Sequence, residues 1–404
     1  MKYIVVIIFA VLLVSCKEEN KIVKLDKGRY RAELKVNDTL GLPFNFEVVS
    51  EEEFQVFNAE EIIKIKDITY KNDSVYIQMP VFEGFIVAKI ENGKLNGSFV
   101  KPSLNRVMDF TAQKNPIRFK TDKRLSKYNI SGNWEATFSP NSEDNKYIAK
   151  GVFKQEGNKV RGTFRTTTGD YRYLEGVLNA NQLQLSTFDG AHAFLFTAEV
   201  NDSKMKGMFY SGTHWKEPFV AKRNDNFELP DSNKLTYLKE GYNKVEFSFP
   251  DENGNQVSLN DERFKDKVVL IQIMGTWCPN CLDESKYYSE FYKSNKNKDL
   301  EIVALAFEYV KTEDKAFKNI KRLKDDVGIE YPILLAQYGS ASKVKANEKL
   351  PMLNHVLSYP TTIFIDKKGE VRKIHTGFNG PATGEKYIAF KKEFEGFVEG
   401  LLNE

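Results

Sequence analysis

The sequence predicts a multidomain protein with an all-β N-terminal half and an α/β C-terminal third. Residues 27–224 alternate apolar and polar side chains between Gly, Asn and Asp turns, which is typical of antiparallel β-structure. In residues 235–404, near-continuous apolar runs alternate with helical stretches, which is typical of a mostly parallel or mixed sheet flanked by helices. A chain of 404 residues is long enough for two or three such domains.

Residues 1–15 have the features of a signal peptide. Lys2 gives the segment a basic end, and the apolar run that follows is too short to span a bilayer comfortably. The run ends in Leu13-Val14-Ser15-Cys16, which resembles the lipobox of bacterial lipoproteins. The resemblance implies that cleavage leaves Cys16 as a lipidated N-terminus that anchors the protein to a membrane. The alternative is an ordinary signal peptide with an incidental cysteine.

Residues 16–26 are predicted to form a polar tether. Their Cys-Lys-Glu-Glu start is similar to the surface-export signal of some lipoproteins. We therefore expect a protein that is lipid-anchored in the cell envelope. The periplasmic side of the inner or outer membrane and the cell surface all stay open.

The β-region contains an internal repeat. Four short segments recur in the same order, offset by about 104 to 110 positions. The pairs are residues 28–32 with 132–136, 82–84 with 188–190, 95–99 with 205–209, and 110–112 with 219–221. We interpret them as two tandem copies of a barrel- or sandwich-like β-domain, residues 27–115 and 128–224, or as two halves of one barrel-like unit. The Phe-acidic-Gly segments are interpreted as tight turns rather than ligand sites.

Charge and cysteine content exclude some classes of function. Lys and Arg total 59 against 56 for Asp and Glu, so the sequence gives no support to a nucleic-acid partner. Of the three cysteines, Cys16 is assigned to the anchor, which leaves Cys278 and Cys281. No framework of structural disulfides can form, so we expect this pair to do chemistry.

The pair lies in Trp277-Cys278-Pro279-Asn280-Cys281, between a predicted buried strand and a predicted helix. A cysteine at a helix N-terminus faces unsatisfied backbone N–H groups, so its thiol ionises more readily. Cys278 is therefore the expected nucleophile, and Cys281, one turn later and less exposed, is expected to break the mixed disulfide.

A zinc site is the alternative for a Cys-x-x-Cys pair, but the second half of such a site is missing. His355 and His375 lack paired spacing, and His192 and His214 have no Cys or second His at ligand spacing. We expect neither a metal nor another cofactor.

The region from about residue 235 to 402 resembles the TlpA/ResA group of membrane-tethered thiol-disulfide oxidoreductases in the thioredoxin superfamily. The resemblance rests on the Trp-Cys-Pro-x-Cys motif, the strand before it and the helix after it, together with Tyr359-Pro360-Thr361-Thr362. It implies a thioredoxin fold, a cis bond before Pro360, and contact with substrate through Trp277, Pro279, Tyr359 and Pro360.

In this group an acidic residue three positions after the second cysteine helps the buried thiol to exchange its proton, and Glu284 stands there. The alternative is a solvent-facing glutamate stabilised by the helix dipole. Where thioredoxin keeps a buried aspartate, this chain has Gln272. A neutral amide cannot accept the proton of Cys281, so Glu284 or water must do so.

The expected function is the reduction of disulfides in exported proteins, with electrons drawn from a membrane thiol donor. Cytochrome c maturation is one route that the family suggests, and the oxidase or isomerase direction stays open. Peroxidase activity is less expected, because the Pro-x-x-x-Thr-x-x-Cys pattern is missing. The alternative of another class is a ligand- or partner-binding lipoprotein, in which the β-domains recognise the target and the redox domain is accessory. The β-domains could also be a spacer.

Overall fold

The computed structural model of the protein describes residues 22–404. The predicted signal peptide and the predicted lipidation site Cys16 lie outside the described residues. Within residues 22–404, we find no helix with the length and apolar character needed to cross a bilayer.

The first nine strands form one antiparallel sheet with the order β4-β3-β2-β1-β9-β8-β7-β6-β5. The strands are β1 (Gly28–Lys35), β2 (Gly41–Val48), β3 (Phe54–Asn58), β4 (Glu61–Ile65), β5 (Ile68–Lys71), β6 (Ser74–Gln78), β7 (Phe85–Glu91), β8 (Lys94–Lys101) and β9 (Arg106–Lys114). A short 3₁₀ helix, Pro102–Leu104, joins β8 to β9. Alternate residues of β1, β7 and β9 are buried, as expected for strands with one face on a core.

The next eight strands close into a barrel in sequence order. They are β10 (Gly132–Phe138), β11 (Tyr147–Glu156), β12 (Lys159–Thr166), β13 (Leu174–Asn179), β14 (Gln182–Phe188), β15 (Ala193–Val200), β16 (Lys204–Ser211) and β17 (Trp215–Arg223). Aromatic side chains fill its interior: the Phe138 ring stacks on Phe219 at 5.3 Å and meets Phe164 edge-on, also at 5.3 Å.

The repeat is visible in the pairing of the strands. Gly97 of β8 lies opposite Phe110 of β9, and Gly207 of β16 lies opposite Phe219 of β17. A Cβ at Gly97 would lie 2.0 Å from the Val87 carbonyl oxygen, so both copies need glycine where neighbouring backbones approach closely. The copies form two separate sheets, and the interpretation as two halves of one barrel is wrong.

One face of the nine-stranded sheet packs against the outer face of the barrel. Phe188 of β14 stacks on Phe44 of the sheet at 4.4 Å and meets Phe99 edge-on at 5.0 Å. Leu195 of β15 belongs to the same apolar core, whereas its neighbour Phe196 points into the barrel. Both faces of β15 are therefore covered at this end of the strand.

The C-terminal region is α/β. Its elements are β18 (Ser248–Pro250), β19 (Gln256–Ser258), β20 (Val268–Met274), α1 (Pro279–Ser294), β21 (Leu300–Phe307), α2 (Glu313–Val327), β22 (Ile333–Gln337), α3 (Lys343–Lys349), β23 (Thr361–Ile365), β24 (Val371–Thr376) and α4 (Glu385–Leu402). A 3₁₀ helix, Pro381–Thr383, precedes α4.

The five main strands have the order β22-β21-β20-β23-β24. Strands β20, β21 and β22 are parallel, whereas β23 and β24 are antiparallel to their neighbours, so the sheet is mixed. Every residue of the central strand β20 is buried. The predicted fold class, an all-β N-terminal half and an α/β thioredoxin-like C-terminal region, is confirmed.

Helix α1 begins at Pro279, in agreement with the predicted helix N-terminus at Cys278, because Cys278 takes the N-cap position and proline fits the first helical turn. The seven-residue helix α3 and the β18–β19 hairpin were not predicted, since neither is long enough to show a periodic pattern. The strands of the two sheets span residues 28–114 and 132–223, and the exact domain limits stay a prediction.

Candidate active site

Cys278 is the N-cap residue of α1, and three residues separate it from the end of the buried strand β20. Its backbone is extended, with φ −99° and ψ 115°, and Pro279 occupies the first turn. Both cysteines are free thiols. Cys278 is 9% exposed and Cys281 is fully buried, the order of exposure that the motif predicts.

The two thiols differ in how readily they ionise. The pKa of Cys278 is lowered by a hydrogen bond from the Cys281 thiol, against the opposing effect of burial, and the backbone N–H groups of Asn280 and Cys281 assist. Burial raises the pKa of Cys281 well above its usual value, and the neighbouring Cys278 raises it further. Cys278 is therefore the thiol that can act as a thiolate. Cys281 stays protonated and donates a hydrogen bond to it.

The predicted substrate-contact residues Trp277, Tyr359 and Pro360 meet around Cys278. The Tyr359–Pro360 peptide bond is cis, as predicted. The Tyr359 carbonyl oxygen lies 3.4 Å from the Cys278 Sγ and accepts its hydrogen bond. The Trp277 ring packs edge-on against Tyr359, and its Nε1 donates to the Phe307 carbonyl at 2.9 Å. The tryptophan is thereby fixed next to the nucleophile.

Glu284 is fully buried one helical turn beyond the motif. Its carboxylate accepts hydrogen bonds from Gln272 Nε2 at 2.8 Å, Thr362 Oγ1 at 3.1 Å and the Tyr288 hydroxyl at 3.3 Å. Burial raises the pKa of Glu284 to about 7, although these hydrogen bonds oppose the shift. The alternative of a solvent-facing glutamate is wrong.

Gln272 forms a hydrogen bond with Glu284 rather than with either cysteine. Its amide nitrogen donates to Glu284, and its Oε1 accepts a hydrogen bond from Ser285 at 3.2 Å. The neutral amide is therefore used to hold the carboxyl in place within the core.

A second buried carboxyl, Glu308, was missed by sequence reasoning. It accepts hydrogen bonds from the Thr276 backbone N–H and hydroxyl, both at 2.7 Å, and so fixes the loop before Cys278. Burial raises the pKa of Glu308 to about 7. Its position directly after the apolar run 301–307 was the one available signal.

The loop between β12 and β13 (residues 167–173, the β12–β13 loop) lies against the dithiol motif, which the sequence did not reveal. Asn280, between the two cysteines, donates to the Asp170 carbonyl at 3.2 Å. The Gly380 N–H donates to the Asp170 carboxylate at 2.6 Å, and the Ser358 hydroxyl donates to the Thr168 carbonyl at 2.8 Å. The barrel therefore contacts the motif, the cis-proline loop and the segment after β24.

The fit of this loop requires glycine. A Cβ on Gly169 would lie 2.0 Å from Asn280 Nδ2, and one on Gly377 would lie 2.8 Å from the Thr168 carbonyl carbon. Both glycines also have positive φ.

Arg172 joins all three structural units. It is 2% exposed and pairs with Asp283 of α1, with Glu61 of β4 and, at 3.6 Å, with Asp189. Its Nη1 also lies 3.4 Å from the Pro279 carbonyl oxygen. Pro279, predicted to contact substrate, is buried and has its carbonyl turned to the barrel.

The Phe-acidic-Gly turn of the first copy contacts the redox domain, and that of the second copy contacts the nine-stranded sheet, where Asn58 donates to the Phe188 carbonyl at 2.9 Å. Glu83 accepts a hydrogen bond from the Tyr309 hydroxyl at 2.9 Å, and the Phe82 carbonyl accepts one from Arg322 at 3.0 Å. The equivalent Asp189 forms a turn by accepting from the His192 N–H at 2.6 Å, and it pairs with Arg172. These segments are turns, as predicted, and they are interdomain contacts as well.

A cleft of about 370 Å³ opens beside Trp277, where the three units meet. Its lining includes the basic side chains Lys101, Arg106, His192 and His214 and the rings of Trp277 and Tyr309. We call it the basic cleft. In the described part of the chain, no group of three or more His, Cys, Asp or Glu side chains could hold a metal ion.

Comparison with known proteins finds similarity in the C-terminal region that contains the two cysteines. The family model described as Redoxin matches residues 234–388. The thioredoxin-like protein YneN of Bacillus subtilis is 31% identical over 146 residues, 36% of this chain and 76% of the relative. The thiol-disulfide oxidoreductase ResA of Bacillus thuringiensis subsp. konkukian is 31% identical over 142 residues, 35% of this chain and 72% of the relative.

Among solved structures, a thiol-disulfide oxidoreductase from Bacteroides fragilis is similar at 22% identity. The match covers 37% of this chain and 99% of that chain, with a TM-score of 0.27.

Proposed function

The chain belongs to the TlpA/ResA-like thiol-disulfide oxidoreductases of the thioredoxin superfamily, and from this premise we propose that it reduces disulfides in exported proteins through Cys278 and Cys281. The observation that carries the proposal is the asymmetry of the two thiols. The more exposed Cys278 has a lowered pKa, and the buried Cys281, which donates to it, has a raised pKa. Cys278 can therefore attack a disulfide as a thiolate, while Cys281 stays protonated until the second exchange.

The reaction proceeds in two exchanges. The Cys278 thiolate attacks one sulfur of the substrate disulfide, the substrate S–S bond breaks, and the other substrate sulfur leaves as a thiolate that takes up a proton. Cys281 then loses its proton and attacks the Cys278 Sγ, which releases the second substrate thiol. The substrate gains two electrons and two protons in all, and the Cys278–Cys281 disulfide forms.

Glu284 is the proposed acceptor of the Cys281 proton. It is close enough for its charge to raise the pKa of Cys281. With its own pKa at about 7, it is partly ionised at neutral pH and can both accept and return a proton. Gln272 and Thr362 hold it in place by hydrogen bonds.

The oxidised protein needs a source of electrons to act again. We propose a membrane thiol donor, with Cys16 as the lipid anchor that keeps the protein in the cell envelope near this donor. Cytochrome c maturation is one proposed route for the thiols that are produced. The lipobox-like segment in the sequence supports this location.

Trapping of the mixed disulfide tests the mechanism. In Cys281→Ser the second exchange cannot occur, so a disulfide-containing model protein should stay covalently bound to Cys278 and turnover should cease. The adduct should be visible by non-reducing electrophoresis and should disappear in Cys278→Ser. A Cys281→Ser protein that still turns over, or an adduct that persists in Cys278→Ser, would contradict the proposal.

A partner-binding function is the second candidate, and the contacts of the β-domains with the motif support it. Removal of the β-domains (residues 26–224) would not test this candidate cleanly. Val81, Phe82 and Ala191 belong to the apolar core of the redox domain, so the deletion would also disturb that core. A comparison of substrates is sharper. A general reductase should act on a small neutral disulfide, whereas a partner-dependent protein should act only on disulfides in partners that the β-domains hold.

A further inference from the structure

The barrel closes one flank of the dithiol. The β12–β13 loop contacts Asn280 within the motif, Ser358 in the cis-proline loop and Gly380 after β24. Arg165 adds a hydrogen bond to Asn379 at 3.0 Å. A substrate segment cannot lie on these groups while the loop is in place.

The basic cleft lies on the other flank, at Trp277. The redox domain supplies the rings of Trp277 and Tyr309, which pack against each other with centroids 5.7 Å apart. The nine-stranded sheet supplies the cations Lys101 and Arg106 at the β8–β9 connection, and the barrel supplies His192 and His214.

The charge in the cleft is positive. Neither Lys101 nor Arg106 forms an ion pair within residues 22–404, and the Lys101 ammonium donates instead to the Ala191 carbonyl at 2.8 Å. The pKa of Lys101 is lowered to about 8, chiefly by burial and then by Arg106, so it stays mostly protonated at neutral pH. No carboxylate lines the cleft in the described part of the chain.

The carboxylates nearest to the cleft, Glu83 and Asp189, already have hydrogen-bond or ion-pair partners. Glu83 accepts hydrogen bonds from the Tyr309 hydroxyl and, at 3.4 Å, from the Ser103 N–H. Asp189 is held by its turn and by Arg172. The cleft therefore has two cations that an incoming anionic group can pair with, next to apolar surface from Phe99, Met108 and Phe194.

We propose that the basic cleft is the substrate subsite, and that it binds an extended polypeptide segment carrying an acidic and an apolar side chain beside its cysteine. The inference rests on the proposed function and adds a substrate class to it. Trp277, which forms one wall, precedes Cys278 directly. A peptide cysteine at Cys278 would bring its neighbours, spaced about 3.3 Å apart along an extended chain, to the cleft within a few residues.

The test uses the full chain, purified in detergent and reduced, with three substrates. Two are synthetic peptides with one internal disulfide, identical except for Glu-Glu or Lys-Lys beside one cysteine. The third is a small neutral disulfide, bis(2-hydroxyethyl) disulfide. We expect kcat/KM for the Glu peptide to exceed that for the Lys peptide by roughly fivefold or more.

The main variant is Arg106→Glu, because Arg106 has no carboxylate partner in residues 22–404 to lose. It should lower kcat/KM for the Glu peptide by roughly fivefold and raise that for the Lys peptide. The matched control is Lys114→Glu, which reverses an exposed charge at the other end of β9 and should leave the peptide preference unchanged.

Three outcomes would overturn the inference. They are equal kcat/KM for both peptides in the unaltered protein, an equal loss for both in Arg106→Glu, and inhibition of Glu-peptide reduction by free glutamate at the peptide's own concentration. The last would identify a small-anion site. If the protein fails to reduce even the small disulfide, the proposed function itself is wrong, and the two failures are thereby distinguished.

Discussion

At the residue scale, the environment of each thiol decides its part in the exchange. Cys278 receives backbone N–H groups from the first turn of α1, and these favour its negative charge. Cys281 lies deeper, beside a carboxyl that disfavours a second negative charge. Removing the proton of Cys281 is therefore the demanding step, and the fold provides Glu284 next to it.

Replacing Glu284 by Gln should slow the second exchange. The carboxylate must be ionised to accept a proton, so in the unaltered protein the release of a thiol from a preformed Cys278 mixed disulfide should quicken as pH rises through about 7. In Glu284→Gln this rise should be lost and the rate at neutral pH should fall by roughly a hundredfold. Rapid mixing with a chromogenic aromatic thiol as leaving group measures it.

Glu290→Gln is the matched control, because it makes the same change at an exposed position of the same helix. It should leave the rate and its pH profile unchanged. An unaltered pH profile in Glu284→Gln would show that Cys281 gives its proton to another acceptor.

The buried carboxyls also make stability depend on pH. Burial raises the pKa of both Glu284 and Glu308 from 4.5 to about 7, so the folded protein keeps protons that the unfolded chain has lost. Their stabilising contribution is complete below about pH 4.5 and is lost as pH rises through about 7, on the order of 3 kcal/mol per carboxyl.

We therefore expect the free energy of unfolding to fall between about pH 5 and about pH 8. This window spans the pKa of the carboxyls in the unfolded chain and their raised pKa in the folded protein. Glu284→Gln should remove about half of this fall, and Glu290→Gln should remove none. Urea unfolding at the two pH values measures the difference. The same fall in Glu284→Gln as in the unaltered protein would mean that Glu284 does not titrate with a raised pKa.

At the scale of elements, the β12–β13 loop fixes how the barrel meets helix α1. The buried Arg172 is its main anchor, surrounded by carboxylates from α1, from β4 and from the turn after β14. Removing the cation would leave these carboxylates buried without compensation, which is among the more destabilising changes a folded protein can undergo.

Arg172→Met should lower the free energy of unfolding by about 3 to 5 kcal/mol. The control is Arg161→Met on β12, which loses the more exposed partners Glu60 and Glu156 and should cost at most about 1 kcal/mol. Urea unfolding of both variants compares them. Equal losses would contradict the assignment of Arg172 as an interdomain anchor.

Elements near the motif could be predicted because their signals are local. The apolar run of β20 predicts a buried strand, and the residues around Cys278 predict a helix N-terminus. Glu284 was identified through the resemblance to the TlpA/ResA group, in which an acidic residue stands three positions after the second cysteine. The β12–β13 loop could not be predicted, because Asn280 and Asp170 are 110 residues apart and no local pattern marks their contact.

At the scale of the whole molecule, the three units share their cores. Phe188 of the barrel packs in the core of the nine-stranded sheet, and Val81, Phe82 and Ala191 belong to that of the redox domain. The β-domains therefore contribute directly to the surroundings of the dithiol. This arrangement disfavours the role of a spacer.

The repeat predicted two related β-domains but not their different closure. The paired strands share a register, yet the second copy closes into a barrel while the first stays an open sheet. The open sheet packs on the outer face of the barrel, with Phe188 against Phe44. The alternation of apolar and polar residues predicts strands, but it does not predict how the two copies pack against each other.

The reduction potential of the Cys278–Cys281 couple tests the central claim most directly. It is measured by equilibrating the full chain, purified in detergent, against defined thiol buffers. The proposed reductase should form an intramolecular disulfide with a potential nearer to about −270 mV than to about −120 mV. A value at the oxidising end would make the protein an oxidant or isomerase, and failure to form the disulfide would contradict the assignment as a thiol-disulfide oxidoreductase.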